Sequence, residues 1–238
     1  MAGVIDRRLL VNYRVDPDVA RGLIPDGLRP LLVDGNAVAG ICLLRLDQLR
    51  PAGLPAAIGL RSENVAHRIA VEWDTPDGMR TGVFIPRRDS GSRVNVAVGG
   101  RLFPGPHGRA RFEVNETPDQ LTVSFRNRDD GATARVEVKV ATELRGSHLF
   151  RDLATASDFF RSGSIGWSPR RRGPRLDGLE LRTSAWTMEP TDIVSVSSSF
   201  FEGGPVPASA AQLDCVLLMR RVPVTWLDAG GQFAASAA

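Results

Sequence analysis

The sequence predicts an α+β protein of mainly antiparallel β type, folded as a single domain. Three observations carry this. Valine-rich stretches alternate with polar residues, as in TARVEVKVATEL (133–144), where Val136, Val138 and Val140 share one face and Arg135, Glu137 and Lys139 the other. Turn-forming clusters such as DTPDG (74–78) separate apolar runs at hairpin spacing. Only two segments carry helix signals.

In chain order, RLLVNYRV (8–15) reads as a first strand. Asp16-Pro17 supplies an N-cap followed by proline at the first helical position, so DPDVARGLI starts a short helix that ends before Pro25. Residues 37–46 are too continuously apolar to have a wet face and are expected in the middle of the sheet. QLRPAGLPAAIG (48–59) is a loop, and 62–73 and 79–86 form a hairpin around DTPDG. Residues 94–112 read as strand, proline turn, strand: Val94, Val96 and Val98 alternate, Pro104-Gly105-Pro106 turns the chain, and His107 sits at the tip. Residues 120–125 and 133–144 make a further hairpin. Ser147 is the expected cap of a helix over HLFRDLATASDFFR, with Gly163 as its stop. Residues 167–178 read as irregular loop, followed by strands at 179–187, 192–200 and 213–221. The total is about ten strands and two helices, compatible with a sandwich or a closed barrel. The domain is expected over 1–228, with 229–238 (AGGQFAASAA) a disordered tail.

With 238 residues, 42% hydrophobic, the chain can bury one large core. Its net charge of +3 is mild, and the densest basic run, SPRRRGPR (168–175), lacks interleaved aromatics, which argues against a nucleic-acid partner. No apolar run approaches a membrane span and the N-terminus lacks signal-peptide shape, so no membrane partner and a cytoplasmic location are expected. Cys42 and Cys215 lie in apolar runs and read as small buried hydrophobes. His67, His107 and His148 are scattered without metal-ligand spacing, and no phosphate loop is present, so neither metal nor cofactor is expected. Lysine occurs once, at Lys139.

VGGRLFPGPHGRARF (98–112) resembles a segment of the acetoacetate decarboxylase superfamily, in an uncharacterised bacterial branch of it. IPDGLRPLLVDG (24–35), FFRSGSIGWSP, SVSSSFF and LDCVLLMRRVPVTW extend the likeness along nearly the whole chain. The resemblance implies a cone-like, closed antiparallel barrel with a few short external helices and an internal pocket. In the decarboxylases the turn carries two adjacent lysines, one of which forms a Schiff base with the substrate; here His107 and Arg109 occupy that region. The resemblance further implies that Glu63 is a pocket carboxylate, that Arg101 keeps the family's strand arginine, and that Arg7, or Arg8 one register step away, is an N-terminal pocket arginine. An acidic residue expected on an early strand falls among Gly40, Ile41 and Cys42.

The expected function is binding of a small organic, carboxylate-bearing ligand without Schiff-base chemistry at the usual position. His107 would be general acid or base because its unperturbed pKa lies near neutrality. Glu63 would bind a hydroxyl or shuttle a proton, and Arg101, Arg109 and Arg7 would hold the carboxylate. Two alternatives are a lyase or decarboxylase using Lys139 and a non-catalytic module that binds a ligand or another protein. A homo-oligomer is expected from paired edge strands.

Overall fold

The computed structural model describes residues 1–99, 104–171 and 175–234, with the backbone alone over 231–234. β1 (Ala2–Val15) leads into α1 (Pro17–Leu23), where the Asp16 carboxylate accepts from the amides of Asp18 and Val19 as its cap sequence predicts. The short β2 (Arg29–Pro30) and β3 (Leu32–Val33) precede β4 (Asn36–Arg50). β5 (Leu60–Thr75) and β6 (Gly78–Ser90) form the hairpin predicted around DTPDG. α2 (Arg93–Val98) follows, then β7 (His107–Glu116), β8 (Gln120–Asn127) and β9 (Thr133–Val140). α3 (Leu153–Ser162), β10 (Ile165–Pro169), β11 (Arg175–Arg182), β12 (Glu189–Ser198) and β13 (Ala211–Ala234) complete the chain.

The fold is mostly strand with few helices. Most pairings are antiparallel; β10 with β6 and β6 with β7 are parallel. The pairings run in two circuits that share strands. One passes through β6, β7, β8, β9, β12, β13, β1, β4 and β5 and returns to β6; the other leaves β6 through β10 and β11 and rejoins at β13. β13, β1, β4 and β5 are therefore covered on both faces. On β4, Ala37, Ala39, Ile41 and Leu43 enter one core cluster, while Val38, Cys42 and Leu46 enter the second. Two-sided burial explains the unbroken apolar run there. The first cluster centres on Trp73 and Trp167, which meet edge to face at 5.7 Å; the second packs under α3 through Phe150, Ala156 and Phe160.

Four expectations are corrected. Residues 93–98 are helix, not strand. Ser92 accepts from the amide of Asn95, and the Asn95 side chain joins a buried network with Ser62, Asn64 and Ser90, which outweighs the β preference of three valines. Asp152 rather than Ser147 caps α3, accepting from Thr155 N at 2.7 Å; the Ser147 hydroxyl donates instead to Asp214 at 2.5 Å. Part of the predicted loop at 167–178 is strand, β10 and the start of β11. Finally, β13 runs on to Ala234, through most of the stretch expected to be a tail, because its backbone pairs with β11 from Arg182↔Thr225 to Arg175↔Ala234. Main-chain pairing needs no apolar side chains, so small polar composition does not forbid it.

Candidate functional site

Two adjoining cavities lie on the α3 side of the shared strands, of about 80 and 120 Å³, sharing Leu44, Ala66, Arg88, Leu179 and Trp226 as walls. A single water needs only ~10–15 Å³ in comparable terms, so the pair has room for a small organic molecule. Strand parity decides what reaches them. On β5, Asn64, Ala66 and Arg68 point to the cavities, whereas Ile69 and Val71 join the other core cluster. On β1, Arg8 lines the larger cavity. β6 carries one extra residue opposite the His67–Ile69 step of β5, beside Pro86, and this break in register brings Arg88 round to the cavities.

The polar lining is basic. Arg68 is buried; its Nε donates to Cys42 Sγ at 3.2 Å, its Nη2 donates to Asn12 Oδ1, and its guanidinium lies 4.7 Å from the centre of the Phe160 ring. Gly40 makes room for this arrangement, since a Cβ there would meet Val11 O at 2.0 Å and Arg68 Nη2 at 3.4 Å. Arg8 Nη2 donates to Cys42 Sγ at 3.3 Å. Arg88 Nε donates to Ser168 Oγ at 3.2 Å, and burial pushes its pKa down to about 10, with the Cys42 sulfur opposing that shift. Among the described residues no Asp or Glu lines either cavity, and Arg68 Nη1 has no hydrogen-bond partner. A guanidinium buried without a carboxylate, as Arg68 is, is costly unless an anion arrives.

His107 lines the smaller cavity at the start of β7, with Nδ1 3.1 Å from Gly105 O. The ring fits because residue 99 is glycine; a Cβ there would lie 2.4 Å from Nδ1. Burial, then the Arg88 charge, push His107 down to about 4. It is therefore an uncharged hydrogen-bonding group at neutral pH, with a pKa moved away from the near-neutral value on which its acid–base role was expected. His67 is buried, stacked on Phe200 at 4.5 Å, and burial first pushes it down to about 3. It faces a separate open groove of about 780 Å³ beside Asp130 and Glu202.

The structure parts the other expected site residues from these cavities. Arg7 and Glu63 meet each other, at 2.6 Å. Glu63 also binds Arg45 at 2.6 Å, and Glu116 joins both arginines at 3.3 and 3.2 Å. Neither Arg7 nor Glu63 lines the cavities. Arg8 is the cavity arginine, one residue along from the expected one, and a one-residue step on a strand reverses the face. Arg109 is exposed on β7. Lys139 is exposed on β9, opposite Gln120 and Asp192, and lines neither cavity, because the buried face of that strand belongs to Val136 and Val138. Arg101 lies outside the described residues. Arg68, Arg88, Asn95 and Cys42 were not expected as site residues from sequence. The usable signal was a charge embedded in an apolar strand, as Arg68 is in AHRIAV. Cys42 looked like a hydrophobe because its neighbours are apolar on both faces. No group of three or more His, Cys, Asp or Glu gathers to hold a metal among the described residues. No helix among them is long and apolar enough to cross a membrane.

Comparison with known proteins places the chain. A family model matches residues 5–223, nearly its full length; the family is DUF2071, described as an uncharacterized conserved protein. The chain belongs to DUF2071. A search of curated proteins finds no match. Solved structures share the fold. Acetoacetate decarboxylase from Legionella pneumophila aligns at 13% identity with a TM-score of 0.57, over 96% of this chain and 88% of that one. An acetoacetate decarboxylase-like enzyme from Sphingomonas wittichii RW1 aligns at 16% identity and TM-score 0.59, over 98% and 92%. The enduracididine biosynthesis enzyme MppR, complexed with pyruvate, aligns at 16% identity and TM-score 0.58, over 97% and 88%. At these identities the likeness establishes an acetoacetate decarboxylase-like fold.

Proposed function

We propose that this DUF2071 protein binds a small organic acid in the arginine-lined cavities, within a closed, cone-like barrel. One observation carries the reading: Arg8, Arg68 and Arg88 line one cavity with no Asp or Glu among its described walls. A carboxylate would receive parallel guanidinium hydrogen bonds there. Asn64, Asn95 and the uncharged His107 are placed to anchor the rest of the molecule, and Leu44, Ala66, Leu179 and Trp226 exclude water. The two pairing circuits support the barrel. The exposed position of Lys139 offers a lysine imine no enclosed site, which favours chemistry or binding without a Schiff base.

Isothermal titration calorimetry tests this with pyruvate and with acetone, a neutral molecule of similar size. The expected result is pyruvate binding tighter than about 1 mM and no measurable heat with acetone. Equal behaviour of the two, or no binding of either, overturns the reading.

A further inference from the structure

Cys42 projects from β4 into the larger cavity, and the two guanidiniums at 3.2 and 3.3 Å both donate to its sulfur. A neutral thiol is a weak acceptor, whereas a thiolate accepts charge-assisted bonds strongly. Among the described residues lining the cavity Cys42 is the one with an acidic proton to lose, since no Asp, Glu or Tyr is there. A second, independent observation points to a ligand beside it. Arg68 Nη1 is buried and without a partner among the described residues, and Arg88 shares the cavity, so the cations outnumber the one sulfur. The titratable groups sharing the cavity with Cys42 are Arg8 on β1, Arg68 on β5 and Arg88 on β6, with His107 of β7 in the adjoining cavity; the described residues that β10, β11 and β13 add to the wall, Gly166, Leu179, Leu181 and Trp226, do not titrate.

The second cysteine is an internal contrast. Cys215 Sγ receives the Asn12 amide at 3.4 Å and the Ser147 hydroxyl but no cation among the described residues, and burial, then Asp214, push its pKa up to about 12. For Cys42, burial raises the thiol pKa, but Arg8 and then Arg68 reverse this and leave it below the ordinary thiol value.

We propose that Cys42 is a thiolate nucleophile that attacks an electrophilic carbon of the organic acid held by Arg8, Arg68 and Arg88. The inference rests on the organic-acid reading of the cavity. With a 2-oxo acid, a sulfur lone pair forms the C–S bond, the carbonyl π pair moves to oxygen, and that oxygen takes a proton from water. Counted from the thiol, the net change is thiol plus ketone to hemithioketal, with no oxidant or reductant. With a halogenated acid the C–S bond forms as the carbon–halogen bond breaks and halide leaves.

The test uses the full native chain and two probes, iodoacetate and iodoacetamide, with peptide mass spectrometry at Cys42 and Cys215. Cys42 is expected to react at pH 7 at least about tenfold faster than Cys215, at a rate nearly flat between pH 6.5 and 8 because the thiolate is already formed. Iodoacetate is expected to outrun iodoacetamide at Cys42 by about tenfold, one guanidinium–carboxylate interaction's worth of selectivity. The proposal is overturned if Cys42 reacts no faster than Cys215, or if its rate climbs about tenfold per pH unit as an ordinary thiol does. It is equally overturned if the neutral reagent is preferred. Pyruvate calorimetry on the Cys42→Ser protein separates the two claims. Retained binding beside an unreactive Cys42 removes the nucleophile and leaves the cavity reading standing, whereas loss of pyruvate binding in the unmodified protein removes both.

Discussion

Glu63→Ala is expected to destabilise the protein by about 3 kcal/mol or more while changing pyruvate affinity by less than about twofold. The Arg7 side chain is fully buried, and Glu63 is its nearer carboxylate, at 2.6 Å against 3.3 Å for Glu116. Removing Glu63 leaves the buried Arg7 charge with Glu116 alone, which Arg45 shares, and an under-compensated buried charge costs more than the pair contributes when intact. Arg45 is less affected, because it is partly exposed and keeps Glu116 at 3.2 Å. Glu63→Gln, which keeps an acceptor for Arg7, should lose less. Urea unfolding, with the midpoint and slope read together, measures the loss. A Glu63→Ala protein of normal stability that no longer binds pyruvate would return Glu63 to the ligand site and contradict its placement in the Arg7–Arg45–Glu116 network.

Arg88→Met should do the reverse. Loss of a charge-assisted pair with the ligand is worth about 1.5–3 kcal/mol, a weakening of pyruvate binding of roughly 10–100-fold. The empty protein should be as stable as before or more stable, by about 1–3 kcal/mol, since Arg88 is half-buried, has Ser168 Oγ as its hydrogen-bond partner among the described residues, and methionine fills similar volume without a charge. A stability gained where function is lost is the mark of a binding group held against its own solvation. Unfolding and calorimetry on one preparation read both effects. A strongly destabilised Arg88→Met protein would mean that the arginine props the fold rather than serving a ligand.

Much of the fold was legible. The Asp16-Pro17 start, the DTPDG hairpin, the 120–140 hairpin and the two-sided burial of β4 all follow from local pattern. α2 was not, because three alternating valines read as strand, and the buried amide network of Asn95 that decides the matter comes from distant residues. β10 was hidden by the prolines and glycines around it, since its partners are residues far away in β6 and β11. The candidate site was half legible. The proline turn does deliver His107 to a cavity, but the other expected anchors fell on the wrong side of a strand. In a sheet covered on both faces, composition does not reveal parity, so Arg7 was favoured over Arg8. Arg88 depends on the bulge by Pro86, whose register only the folded pairing sets.

The most direct measurement is a crystal structure of the protein soaked with pyruvate. The account predicts density in the cavities beside Arg88 and Cys42, with the carboxylate within hydrogen-bonding distance of Arg68 or Arg88 and the carbonyl carbon facing Cys42 Sγ. Pyruvate seated instead in the open groove beside His67, or cavities that stay empty at saturating ligand, would contradict it.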